Sequence, residues 1–81
     1  MSIAKQYLEQ LYQTAFQLNE FANNMQQDAI RLIQENPQID SKFQDQDIAN
    51  DTFFAILSSV DLQKLAENMI SYCKERLSNI Q

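Results

Sequence analysis

The sequence predicts an all-α fold: a long N-terminal helix packed in a helical hairpin against a returning arm broken into two helices, assembled as a dimeric helical bundle. Three observations carry that expectation. One apolar repeat runs without interruption through the first 35 residues, the single Pro of an 81-residue chain without Gly follows at position 37, and two apolar stripes at helical spacing fill the remainder. The length fits one helical domain, residues 1–81, with no surplus for a second.

In the first element Ala4, Leu8, Leu11, Ala15, Leu18, Ala22, Met25, Ala29 and Leu32 alternate at spacings of four and three, a heptad seam that predicts a helix over 3–35. With Leu8 at position a, the later a residues Ala15, Ala22 and Ala29 are small, whereas the d residues Leu11, Leu18, Met25 and Leu32 are large. Small a layers let helix axes approach closely. The opposite face, Gln6, Gln10, Gln13, Gln17, Glu20, Asn24, Gln27, Arg31 and Gln34, is polar throughout, so the helix has a wet side.

Asn36-Pro37 ends this helix, because Pro disfavours the α region for the residue before it and supplies no N–H. A loop follows to about Asp45. Asp40, Asp45, Asp47 and Asp51 against Lys42 give residues 36–51 a charge of -3, most of the chain's -5. A second helix is expected from about 46, where acidic side chains cap and favour a helix start. Its stripe is Ile48, Ala49, Phe53, Ile56, Leu57 and Val60; the next is Leu62, Leu65, Ala66, Met69, Ile70, Cys73, Leu77 and Ile80. At roughly 100° per residue the two stripes are offset by about one residue, more than a straight helix buries against one neighbour. Ser58 and Asp61 have the spacing of a helix-starting box, so a break or sharp kink is expected there, giving helices of about 46–58 and 60–79.

Composition narrows the chemistry. With no His there is no Ser-His or Cys-His nucleophile pair and no His-ligated metal, and with no Gly there is no phosphate-cradling loop. A lone Cys makes neither an internal disulfide nor a thiolate cluster, a usage that fits a reducing, cytoplasmic setting. Cys73 lies inside an apolar stripe, which predicts a buried inert thiol. Residues 1–6 lack the apolar core of a secretory signal, and no apolar run approaches a membrane span. Calcium is disfavoured: a binding loop from Asp40 places Lys42 at its third position, and one from Asp45 places Ile56 where a bidentate Glu belongs. No pair of acids stands out for hydrolytic chemistry. The expectation is therefore a non-enzyme with no cofactor and no metal site.

What remains is binding. Twelve Gln and seven Asn give polar faces with few fixed charges. Tyr7 and Phe21 fall at position g, Tyr12 and Ile33 at e, Phe16 and Ile30 at b, well round from the a/d seam, and Phe54 lies off the stripe of its own helix. Most of this set is expected to widen the core, under the returning arm on one flank and a partner chain on the other. The leading functional expectation is a small acidic adaptor, regulator or chaperone-like subunit, a homodimer that binds a partner protein through helix faces. Phe16, Phe21, Ile30, Phe53 and Phe54 are its candidate interface residues. The alternative is an acidic inhibitor or immunity-type protein whose Asp40, Asp45 and Asp47 occlude a basic site. Finally, the layers Ala15, Leu18, Ala22, Met25, Ala29 and Leu32 are similar to those of the small plasmid-encoded Rop hairpins, a family that pairs into four-helix dimers and contacts RNA. That resemblance implies RNA binding as a third reading. The chain departs from it in lacking Gly and a basic face, so no RNA-contact residue is carried over, and dispersed Lys and Arg with a net charge of -5 disfavour nucleic acid.

Overall fold

The computed structural model describes residues 2–37 and 46–80. They form two helices, α1 (Ile3–Glu35) and α2 (Gln46–Ser78), each 33 residues long and packed against the other. At 1.5 Å per residue each spans about 50 Å. The whole chain measures 60 × 15 × 15 Å, so the helices lie side by side and run antiparallel.

α1 begins where Ser2 stops it from the front. Ser2 is extended, its Oγ accepts the Lys5 N–H at 3.1 Å, and its carbonyl accepts the Gln6 N–H at 3.2 Å. At the other end the Asn36 side-chain amide donates to the Leu32 carbonyl at 2.9 Å, and the Asn36 N–H donates to Ile33. Asn36 thus satisfies carbonyls that the helix leaves open, just before Pro37 forbids continuation.

α2 corrects the expected break: it is one continuous helix through Ser58, Ser59, Val60 and Asp61, not two helices meeting there. The cause lies in which residues form its seam. Thr52, Ser59, Ala66 and Cys73 recur every seven residues and are all buried, so a single register carries across the point where the large apolar residues shift. Both seam hydroxyls find acceptors in their own helix. Thr52 Oγ1 donates to the carbonyls of Ile48 and Ala49 at 3.0 and 2.9 Å, and Ser59 Oγ donates to Ile56 at 2.6 Å. A break at Ser58 would forfeit backbone hydrogen bonds for no gain in burial.

The two seams match in height. Ala29 and Thr52 each stand six residues from the helix end beside the connection, Ala22 and Ser59 thirteen, Ala15 and Ala66 twenty, and Leu8 and Cys73 twenty-seven. With Ala49, these make up the buried set among the described residues, and its side chains are small except Leu8. Half-buried Leu11, Leu18, Met25, Leu62 and Met69 line one side of the seam, and Tyr12, Ile33, Ile56, Ile70 and Leu77 the other.

A seam of this kind resists enlargement more than loss of a hydroxyl. Ser59→Leu should destabilise the fold by about 1–3 kcal/mol through overpacking. Ser59→Ala should stay within about 0.5 kcal/mol, because the Ile56 carbonyl remains in the helix ladder. Urea unfolding followed by circular dichroism at one protein concentration measures both.

Candidate protein-interaction surface

Small residues at the seam push the large ones outward. With Thr52, Ser59, Ala66 and Cys73 at position a, Phe54 takes c and Leu57 takes f, the side of α2 turned away from α1, and Phe53 and Val60 take b, on the flank beside it. All four are exposed, Phe54 to 74% and Leu57 to 67%. Their spacing, with Phe53, Leu57 and Val60 at i, i+4 and i+7, makes them a continuous strip over two turns. A solvent-facing helix surface normally carries polar groups there, and α1 does so at the corresponding c and f positions with Gln10, Gln13, Gln17, Glu20, Asn24 and Gln27.

A second apolar surface follows from helix handedness. Both helices are right-handed and run in opposite directions. Positions displaced the same way around each axis from the seam therefore emerge on the same flank. Residues d and g of both helices share one flank, and residues e and b share the other. The d/g flank is apolar along most of its length, with Leu11, Leu18, Phe21, Met25 and Leu32 from α1 and Leu62, Leu65, Met69 and Tyr72 from α2. The e/b flank is apolar towards its ends but carries Asn19, Asn23, Gln26, Gln63 and Glu67 in the middle.

Among the residues expected at an interface, Phe21 is 63% exposed on the d/g flank, and Phe16 is 49% exposed on the e/b flank, its ring edge-on to Tyr12 with centroids 4.9 Å apart. Ile30 is half-buried on the same flank, two heptads further along α1. Phe53 is half-exposed, beside Phe54 on the outer strip. Most aromatics therefore stay outside the core of the single chain, contrary to the expectation that the returning arm would cover one flank of them. The helices meet over a seam of small side chains, and ring-bearing positions lie beyond its edge. Asp47 is exposed in the first turn of α2; Asp40 and Asp45 fall outside the described residues. Sequence reasoning missed Leu57, Leu65 and Tyr72, each of which was read as stripe or passed over. The seven-residue recurrence of Thr52, Ser59, Ala66 and Cys73 was the signal that locates them.

Sites for chemistry are scarce. Among the described residues no three His, Cys, Asp or Glu side chains gather to hold a metal. A shallow depression beside Ile3, Gln6, Tyr7, Gln10 and Gln13 is lined along one helix and opens to solvent. Arg31 and Asp28 pair at 3.3 Å one turn apart, exposed, a contact worth about 0.3–0.5 kcal/mol. No described helix is long and apolar enough to cross a membrane. No family model, curated protein or solved structure matches the chain.

Cys73 is fully buried in the seam opposite Leu8. Its thiol should react with Ellman's reagent on the order of 100-fold more slowly in the native protein than in denaturant, since access requires the helices to part. Stopped-flow absorbance across a urea series reads this directly, and a fast native reaction would show that the seam opens readily.

Proposed function

We propose that this protein is a non-enzymatic protein–protein interaction module, an acidic helical subunit that binds a partner protein through helix faces. The observation that supports the reading is the outer strip of α2, where Phe54 and Leu57 face away from α1 and Phe53 and Val60 stand exposed along its edge. Burying one such side chain contributes about 1.5–3 kcal/mol, so four in a row constitute a hot-spot cluster of ordinary strength. Rigid aromatics on a helix also lose little side-chain freedom on docking. The lack of His and Gly in the sequence fits the same reading.

Affinity capture from the native source with the whole chain as bait tests it, run in parallel with a Phe53→Ser, Phe54→Ser, Leu57→Ser variant. A protein retained in near-stoichiometric amount by the wild type should fall at least about tenfold with the variant, while the variant keeps its helical circular dichroism. Retention of nothing above background, or equal retention by both baits, would rule the reading out.

A further inference from the structure

We propose that a second copy of this chain covers the d/g flank, the surface carrying Leu11, Leu18, Met25, Leu62, Leu65 and Met69, with the two hairpins antiparallel in a four-helix bundle. The inference stands apart from the partner-binding reading, because it concerns a different flank and different residues.

The first argument is area. The chain exposes 6151 Å² of surface, whereas a compact monomer of its 9.5 kDa mass exposes about 5,000 Å². The excess, roughly 1,100 Å², exceeds the about 800 Å² per partner that a standard stable interface buries. A radius of gyration of 17.9 Å against about 12 Å for a compact domain of this length describes the same unfilled shape. An elongated hairpin with a core of small residues is half of a bundle.

The second argument is the choice of flank. A two-fold interface places each patch against itself, so its centre must be self-complementary. The helix midpoints are Asn19 and Leu62. Around that height the d/g flank presents Leu18, Phe21, Leu62 and Leu65, while the e/b flank presents Phe16 and Val60 interspersed with Asn19, Asn23, Gln63 and Glu67. Only the first of these loses water without stranding amides or a charge.

The third argument is charge, and it sets the direction. On the d/g flank Glu35 and Asp51 lie towards the connection and Arg76 towards the termini; Asp28 is paired with Arg31 within its own helix. From the midpoint, Asp51 stands about 17 Å, Arg76 about 21 Å and Glu35 about 24 Å along the axis. Antiparallel hairpins, with α1 against α1 and α2 against α2, bring Arg76 of each copy to the height of Asp51 and Glu35 of the other. Parallel hairpins bring the acids of one copy against those of the other, which is repulsive.

Sedimentation equilibrium of the full chain tests the proposal. The expected result is a species of twice the 9.5 kDa chain mass. Phe21→Glu with Leu65→Glu should weaken it by about 100-fold or more, and Phe54→Glu should leave it unchanged. Both altered flank residues are exposed in the hairpin, and circular dichroism at high concentration confirms that the variant still folds. For direction, Asp51→Lys should weaken the dimer about threefold and Arg76→Glu with Asp51→Lys should restore it. A helical monomer, or a dimer indifferent to Phe21 and Leu65 but broken by Phe54→Glu, would overturn the proposal. A dimer strengthened by Asp51→Lys alone would overturn the antiparallel arrangement. A monomeric wild-type chain that still captures a partner refutes this inference alone, and a dimer that captures none refutes only the proposed function.

Discussion

The seam between α1 and α2 takes small side chains, and the rest of the molecule is arranged by that constraint. Ala15, Ala22 and Ala29 meet the heights of Ala66, Ser59 and Thr52, and seven-residue spacing in both helices keeps the match over five turns or more. Small residues bury little apolar area of their own, so the seam specifies register more than it supplies stability. The larger contribution comes from the d and e residues that flank it and are only half-buried in one hairpin. Hairpin stability is then coupled to whatever completes that half-burial.

Polar residues at the seam are consistent with this. A hydroxyl in an apolar interior costs free energy unless it is bonded, and Thr52 and Ser59 meet the requirement inside their own helix, with no help from α1. No buried side-chain polar atom among the described residues lacks a hydrogen-bond partner. Ser and Thr at these sites therefore behave as small space-filling residues whose polarity is internally cancelled. α2 accordingly runs unbroken through Ser59.

How far the sequence discloses the fold depends on the size of the side chains that carry the signal. α1 was legible from end to end, because its Ala and Leu layers alternate strictly and Asn36-Pro37 marks its close. The start of α2 at Gln46 and its end at Ser78 fell within a residue or two of the boundaries read from acids and stripes. The break at Ser58 was misread for one physical reason. Counting apolar residues gives weight to Phe53, Leu57 and Val60, which are large and exposed, and none to Thr52 and Ser59, which are small and buried. Helix contact depends on what fits between backbones, and there size outranks hydrophobicity. The candidate surface was legible to the same extent: Phe16 and Phe54 stood out by position, whereas Leu57 and Leu65 were hidden inside stripes presumed to face inward.

The same misreading locates two apolar surfaces in place of one. If the offset stripes belonged to two helices, each would be spent on its own neighbour. On one continuous helix both cannot face α1, so the excess must appear elsewhere on the surface. It appears twice, on the d/g flank and on the outer strip from Phe53 to Val60, roughly half a turn of α2 apart. A second hairpin against the flank leaves the strip uncovered, because a two-fold partner approaches from one side only. Self-association and partner binding then do not compete. In the proposed dimer α2 lies against α2, so the two strips fall on the same side of the bundle and towards opposite ends, which makes the assembly bivalent. A ligand with two linked copies of its own docking site would gain from that geometry only if its linker spans the distance between the strips along the bundle.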